Sequence, residues 1–513
     1  MINYENYLKE KLWEISSELM KDKDINEFKK YILGFIFYKY LSEKIDLTLS
    51  EELKSDGLTF EEAYHISDYS NALKEEAFDS LGYFIEPEFL FKHLVEQAKV
   101  GDENFLSNVE RALKKVTDSV IGKKSAPDFE NLFSDINLNS PILGDSVSDQ
   151  STSIGNLFIE LSSIDFKIKE EIKYLADAYE YLITKFAIET GSGANKLYTP
   201  KTISNLISKI VTHDKNKILS VYDPACGSCS LLLNINNNIK VSNFFGQDSI
   251  QTTYNHARMN MILHNIHFDD FSIKHGDSLE NPKFSDDTFE VIVSHPPFSE
   301  KWSANKRFLD DERFSAAGRL PPKSKADYAF VEHMIYHLDE NGIMAVVLPH
   351  GVLFRGNAEE AIRKHLIKEK NYLDTVIGLP SNLFHGNTIS AIIMIFKKCR
   401  MKDDNILFID ASKEYEKTKN QNIIADENIE KIVNAYVNRL EIDKFSHCAS
   451  LSEIEENDFN LNIPRYVDTF EEEEPINLDA ICDELEKISI EMENIDNEIK
   501  KYCDELGIRH PIF

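Results

Sequence analysis

Four short stretches between Ile218 and Phe298 carry residue types that could do chemistry at one place. The first, Asp223-Pro224-Ala225-Cys226-Gly227-Ser228, follows an apolar run and precedes an apolar helical pattern. Small residues in such a turn let the backbone approach a bound ligand where larger side chains would obstruct it. The second, Gly246-Gln247-Asp248, places an acid twenty-one residues beyond Gly227. At about that spacing a carboxylate accepts the ribose hydroxyls of a bound nucleoside. The third, Gly276-Asp277-Ser278-Leu279, sets Asp277 at another strand end, where it can accept from the exocyclic amine of an adenine ring. The lysine of a phosphate-binding loop is missing from the first turn, so a nucleoside triphosphate is not expected. The fourth stretch, Ser294-His295-Pro296-Pro297-Phe298, closes a further apolar run. The four together read as a nucleotide-type cofactor pocket beside one reaction centre. Cys226-x-x-Cys229 also invites a zinc or redox reading, but one pair lacks two further ligands at matching spacing, and no metal is expected.

The elements that must position these turns alternate. Strand-like runs fall at 218–222, 244–246, 272–275, 291–294, 343–348, 375–378 and 391–396, with helical runs such as 253–263 and 328–338 between most of them. Such alternation predicts an α/β fold with a parallel sheet covered on both faces. Ligands in these sheets sit at the carboxyl ends of the strands near the switch in strand order, where all four turns should converge. Ahead of the sheet, residues 1–165 read as an α-helical domain: Leu8, Leu12, Ile15 and Leu19 recur at three- and four-residue steps, and the polar stretch 134–155 reads as a linker. A cofactor-binding sheet domain is expected over 166–470. Within it Gly191-Ser192-Gly193-Ala194 breaks a helix before Tyr198-Thr199-Pro200, with Thr199 suited to a helix N-cap and Pro200 to its first turn. Over 471–513, Leu478, Ile481, Leu485, Ile488, Met492, Ile495, Ile499, Tyr502 and Leu506 step three and four alternately. That coiled-coil-like seam needs another helix to cover it, from its own domain or from a partner.

The charge balance constrains partners. Lys and Arg number 57 against 88 Asp and Glu, a net charge of −31. Proteins that hold DNA unaided present a basic stripe, because phosphate neutralisation drives that binding. An acidic chain that works on DNA therefore needs a basic partner or a local basic groove. Residues 299–327, with Lys301, Lys306, Arg307, Arg319, Lys323 and Lys325, form the most basic stretch near the fourth turn, either closing over a substrate or staying solvated. No run of 18 apolar residues exists, six cysteines are scattered, and the N-terminus lacks signal-peptide character, so a cytoplasmic address and no membrane contact are expected.

Ser294-His295-Pro296-Pro297-Phe298 resembles the Asn-Pro-Pro-Phe/Tyr signature of amino-methyltransferases that use S-adenosylmethionine. Further stretches resemble the modification subunit of type I restriction–modification systems, which are N6-adenine DNA methyltransferases. They are Tyr31-Ile32-Leu33-Gly34-Phe35-Ile36-Phe37-Tyr38, Tyr179-Glu180-Tyr181-Leu182-Ile183, Ala257-Arg258-Met259-Asn260, Asp310-Asp311-Glu312-Arg313-Phe314, Lys323-Ser324-Lys325-Ala326-Asp327, Leu348-Pro349-His350-Gly351-Val352-Leu353-Phe354-Arg355-Gly356 and Asn462-Ile463-Pro464-Arg465-Tyr466. The resemblance implies a Rossmann-like sheet binding S-adenosylmethionine through Tyr198, Thr199, Pro200 and the Asp223–Ser228 turn. It implies catalysis on a flipped adenine by residues 295–298, with Phe298 stacking on the base. It also implies a separate specificity subunit that reads double-stranded DNA, a second copy of this chain in the complex, and a restriction subunit as a further partner.

Two positions depart from that pattern. Cys229 stands where the family's turn has Gly, so a side chain is expected where backbone approaches the cofactor, at a cost of about 1–2 kcal/mol if φ is positive there. His295 replaces the family's Asn; a neutral imidazole offers one acceptor nitrogen and loses it on protonation. The departures leave a catalytically silent structural subunit as an alternative, and methylation of protein glutamine or RNA as a distant one.

Overall fold

The computed structural model describes residues 4–511 apart from 22, 165–168, 190–198, 385–389, 402–403, 419–420 and 470–477. Tyr198 and the Gly191–Ala194 break lie outside the described residues. The chain divides into two compact units, 1–468 and 469–513.

The core of the first unit is a nine-stranded sheet. Its strands are β1 (Ile218–Asp223), β2 (Val241–Asp248), β3 (Phe271–His275), β4 (Phe289–Ser294), β5 (Leu338–Pro349), β6 (Leu373–Gly378), β7 (Ala391–Lys397), β8 (Ile406–Asp410) and β11 (Ser446–Ala449); β9 (Glu416–Lys417) and β10 (Asn422–Ile423) pair with each other. The order is β11-β8-β6-β7-β5-β4-β1-β2-β3. All seven expected strands are present, but the sheet is not wholly parallel: β7 runs antiparallel to both β5 and β6, and β11 antiparallel to β8. The connection from Gly378 to Ala391 has twelve residues, at the lower limit for a parallel crossover, and those described form no helix; β7 returns antiparallel. Alternate side chains serve opposite layers. Val291 and Val293 join Ile203, Ile207 and Leu232 on one face, while Ile292 joins Tyr328, Met334 and Val352 on the other. Strands covered on both faces read as near-continuous apolar runs, which is why β5 to β7 were visible in sequence.

Strand order reverses at β1, flanked by β2 and β4, and this places the crevice at the carboxyl ends of β1 and β4. The helical layer, with the helices Tyr4–Leu19, Ile25–Glu52, Val147–Ser162 and Lys169–Glu189, forms its own apolar core and reaches the sheet layer through Met259 and Leu263. The helix Gln251–Leu263 makes that junction. Arg258, fully buried, donates to the carbonyls of Pro127 and Glu130 at 3.1 and 2.9 Å, and Tyr179 Oη lies 3.4 Å from Met259 Sδ. Residues 147–155, expected as linker, are instead the first half of the Val147–Ser162 helix. Ser146 and Asp149 form a reciprocal capping box, and Ile154, Leu157 and Phe158 are buried. The Ser- and Asp-rich composition marks a helix start there rather than a loop.

The second unit contains the helix Leu478–Leu506. Leu478, Ile481, Leu485, Ile488, Met492, Ile495, Tyr502 and Leu506 of the heptad seam are all exposed.

Candidate active site

Asp223 ends β1 and is 2 % exposed. Its Oδ1 accepts from the Ala225 N–H at 2.9 Å, which shapes the turn, and from Ser294 Oγ at 2.7 Å, which ties β1 to β4 next to His295. Burial pushes its carboxyl up to about 7 against the pull of Ser294. Asp248 ends β2; its Oδ2 accepts from Gly227 N–H at 3.2 Å and its Oδ1 from Ile250 N–H at 2.9 Å. Burial raises it to about 6. The two acids thus meet across one turn. A Cβ on Gly246 would lie 3.0 Å from Cys226 Cβ and Sγ, so β2 reaches this turn only through glycine.

Asp277 is brought to the same edge but is exposed, with its Oδ1 accepting from the Leu279 and Glu280 N–H groups at 2.9 and 3.2 Å. Ser278 joins its turn to the first one by donating to the Pro224 carbonyl at 2.6 Å. Arg313, from the stretch 310–314, donates to the carbonyls of Ser278 and Leu279 at 3.0 Å each and so holds the third turn from behind. The adjoining basic stretch is folded, not loosely solvated: Trp302 stacks on Phe308 and packs at a tilt against Phe314, at centroid distances of 5.3 and 5.4 Å, and Trp302 Nε1 donates to the Pro322 carbonyl at 3.1 Å. Lys301, Lys306, Arg319 and Lys323 remain exposed on it.

His295 follows β4 and is 8 % exposed. Burial lowers its pKa to about 4, so the ring is neutral at pH 7. Thr199 Oγ1 lies 3.1 Å from His295 Nδ1, and His295 Nε2 is buried with no partner. Pro200, not Thr199, occupies the N-cap of the helix Lys201–Thr212, which frees the Thr199 hydroxyl for His295. Phe298 and Phe384 each lie 5.1 Å from the His295 ring. No spacing in the sequence marks Phe384, and only the fold brings β6's downstream loop to this point. After Phe298 the chain turns through Ser299, whose N–H donates to Asp327 Oδ1 at 2.7 Å, while Arg355 pairs with Asp327 Oδ2 at 2.6 Å. The sequence stretches around Asp327 and Arg355 therefore clamp the backbone that presents Pro296, Pro297 and Phe298.

Residues 170–475 match the N-6 DNA Methylase family model, and residues 8–159 the HsdM N-terminal domain model. This chain belongs to the N-6 DNA methylase family. The methylase is 33% identical over 528 residues to the type I restriction enzyme MpnII methylase subunit of Mycoplasma pneumoniae, spanning 98% of this chain and 97% of that protein. It is 30% identical to the MjaVII methylase subunit of Methanocaldococcus jannaschii, over 93% of this chain and 81% of that one. The crystal structure of the type I restriction–modification methyltransferase subunit from Streptococcus thermophilus superposes with a TM-score of 0.84 at 41% identity, covering 90% of this chain and 99% of that one. The Rossmann-like methyltransferase sheet with an N-terminal helical domain is thereby established. Among the described residues, no helix of the methylase is long and apolar enough to cross a membrane.

In the methylase Cys229 has φ +65°, as a glycine position would, yet its side chain is 0 % exposed and packs in the core with Leu232 and Ile235. A thiol so enclosed does not stand in an open cofactor groove, which corrects the steric part of the expectation. Its partner Cys226 has a thiol raised by the contact with Cys229 and by burial, which disfavours the thiolate that metal binding and disulfide exchange require. Cys229→Gly relieves the left-handed strain but empties a small core volume. These offset, so unfolding stability is expected to change by no more than about 1 kcal/mol in chemical denaturation. A larger loss, or a marked gain in donor affinity, would show that the side chain does more than fill the core.

Proposed function

We propose that this chain is the modification subunit of a type I restriction–modification complex, transferring a methyl group from S-adenosylmethionine to the N6 amine of an adenine flipped out of double-stranded DNA. The observation that carries the reading is the seam between β1 and β4: Ser294 donates to Asp223, so His295-Pro296-Pro297-Phe298 stands against the cofactor turn at the switch in strand order. The residues fit the donor. Asp248 offers buried carboxylate oxygens for ribose hydroxyls, and the turn 223–228 offers backbone close to them; on the target side, His295 Nε2 is a buried polar atom lacking a partner. Pro224, Ala225, Cys226, Gly227 and Ser228 line that cradle, Thr199 and Pro200 flank it, and Asp277 serves the adenine side; Tyr198 is assigned with them from the resemblance.

When bound, the donor supplies an electrophilic methyl on a sulfonium. The chain's own work is positioning and hydrogen-bond acceptance. With the proton on Nδ1, donated to Thr199 Oγ1, His295 keeps its Nε2 lone pair to accept one hydrogen of the target amine. The Pro296 carbonyl accepts the other. Drawing both hydrogens towards acceptors frees the amine lone pair from the base for attack; the bond from methyl to sulfur would break as the bond to nitrogen forms, leaving a neutral thioether, and the surplus N6 proton would pass by way of these acceptors to solvent. Phe298, with Phe384 beside it, offers a ring on which the extruded base stacks. A silent structural subunit is not favoured: His295 is neutral and oriented, and the Cys229 thiol lies in the core.

Sequence reading belongs to a separate specificity subunit, which supplies most phosphate contacts to a chain of net charge −31; the exposed Lys301, Lys306, Arg319 and Lys323 add a local basic surface near the base. A second copy of the chain and a restriction subunit complete the assembly. The test is incubation with the specificity partner, methyl-labelled donor and target duplex. Label in N6-methyladenine is expected, and absence of label refutes the assignment. The exposed seam of the helix Leu478–Leu506 is assigned to the partner. Ile488→Asp with Ile495→Asp is expected to abolish co-purification with the specificity subunit while cofactor binding persists. An intact complex would remove the seam from that role.

A further inference from the structure

Between the helical layer and the sheet layer lies a cavity of about 590 Å³ that the four turns do not account for. Thr199 lines one part of it, and Thr199 Oγ1 is 3.1 Å from His295 Nδ1, so the cavity begins at the reaction centre. Ser230 also lines it, with its hydroxyl 2.9 Å from Ser228 Oγ in the cofactor turn. Glu180, from the helix Lys169–Glu189, contributes a half-buried carboxylate.

Glu180 is held against the cofactor turn by one side chain. Asn260 is fully buried, and its Nδ2 donates both to the Ser228 carbonyl at 2.8 Å and to Glu180 Oε1 at 3.2 Å. Both neighbours are acceptors, which fixes the orientation of the amide. Asn260 Oδ1 is then left buried without a donor. Beside the turn, therefore, Glu180 brings a carboxylate to the cavity, backed by the Ser228 carbonyl and the Asn260 amide oxygen, while Lys9, Lys44 and Lys201 line other parts of the same cavity. A zwitterion suits such a cavity, with the N–H groups of its ammonium on the acceptors beside the turn and its carboxylate towards the lysines.

The methyl donor has such a group. With its nucleoside on Asp248 and Asp277 and its reacting methyl towards His295, its amino-acid end must leave the reaction centre on the remaining side, where Thr199 opens into this cavity. We infer that Glu180 receives the α-ammonium of the donor's amino-acid end and that Asn260 positions Glu180 for it. This inference rests on the donor assignment proposed above. It also explains why the helical layer is joined to the sheet at the helix Gln251–Leu263: that helix carries Asn260, and the junction sets Glu180 at the cofactor's far end. The helical layer is then part of the cofactor site and not only a packing module.

The test uses the purified full chain and two ligands. S-adenosylhomocysteine carries the ammonium, and 5′-methylthioadenosine lacks the whole amino-acid end. Glu180→Gln is expected to weaken S-adenosylhomocysteine in calorimetry by about ten- to a hundredfold, the range of one lost charged hydrogen bond, and to leave 5′-methylthioadenosine unchanged. Asp177→Asn is the control: Asp177 lines the same cavity one turn away, whereas Asn260 Nδ2 donates to Glu180, and the change should alter neither ligand. Asn260→Ala is expected to weaken S-adenosylhomocysteine alone in the wild-type chain and to add little in the Glu180→Gln background, a coupling that a purely structural role would not produce. Unchanged S-adenosylhomocysteine binding in Glu180→Gln, or equal weakening of both ligands, overturns the assignment. If the wild-type chain binds 5′-methylthioadenosine but gains nothing from the amino-acid end, the ammonium subsite fails while the donor reading stands. If it binds neither ligand, both fall.

Discussion

Replacing His295 by Ala is expected to lower methyl transfer to adenine by about 10²–10³-fold, the effect of removing one preorganised hydrogen-bonding group from a reaction centre. Donor affinity should stay unchanged, because His295 contacts the target side of the site. His295→Asn is expected to restore transfer, since an amide oxygen accepts the amine hydrogen without depending on which ring nitrogen carries the proton. In the wild-type chain the Thr199 hydroxyl, 3.1 Å from Nδ1, can accept from it or donate to it, and only the Nδ1–H form, in which the hydroxyl accepts, leaves Nε2 as an acceptor. Protonation removes that lone pair. Burial holds the ring near pKa 4, against an ordinary value of 6.5, so the rate contribution of His295 should be flat above about pH 5 and fall only towards pH 4. The same shift acts on stability. Between those two values the unfolded chain binds the proton and the folded chain does not, so His295 weakens folding progressively as pH falls through 6.5 towards 4. Single-turnover transfer with the specificity partner measures the first effect. A His295→Ala rate within a few-fold of wild type would assign amine recognition to the Pro296 carbonyl alone.

Asp248→Asn is expected to weaken S-adenosylmethionine binding by roughly 100-fold, about 3 kcal/mol, through loss of charged acceptance from the ribose. It should also erase a pH dependence. Burial raises Asp248 from 3.8 to about 6, and a carboxylate that accepts from hydroxyls binds them best when ionised. Binding therefore releases a proton below about pH 6, and affinity should fall about tenfold per unit as pH drops below that value. For folding without donor the sign is opposite to that of a salt-bridged acid. The folded state holds a proton that the unfolded chain has lost between pH 3.8 and 6, so the group stabilises the empty protein at low pH and loses that contribution as pH rises through this window. Calorimetry from pH 5 to 8 in buffers of different ionisation enthalpy reads both the affinity and the released proton. A pH-independent affinity, or an Asp248→Asn variant that binds as tightly as wild type, would take the ribose contact away from Asp248.

The core of the chemistry was legible from residue order because it is local. Each turn follows a strand whose apolar run is long enough to see, and Asp223, Asp248 and His295 are each the last residue of a strand or the next one along. A sheet buried on both faces then brings strand ends together without further instruction. The heptad spacing of 478–506 was equally plain, because a helix repeats its face within a few residues. Partners that depend on distant segments had no such signature. Phe384 meets His295 only because β7 folds back between β5 and β6, and that reversal was itself missed where a parallel strand was expected. Residues 147–155 looked like a linker because capping residues and loop residues are the same chemical types, and burial alone separates the two.

Sequence by itself determined the α/β methyltransferase class, the order of the cofactor turns, the two departures at Cys229 and His295, and the acidity that calls for a partner. Tertiary structure decided what those departures mean. Cys229 has the positive φ that the turn demands, but its thiol lies inside the core, which no spacing rule could reveal. His295 is neutral and anchored to Thr199 because burial and a residue ninety-six positions away act on it together. Glu180 and Asn260, eighty positions apart, meet only across the junction of the two layers. Periodicity and turn chemistry are properties of neighbouring residues and can be read along the chain. Side-chain direction, desolvation and hydrogen bonds between remote segments are properties of the packed molecule, and they exist only once the layers have closed.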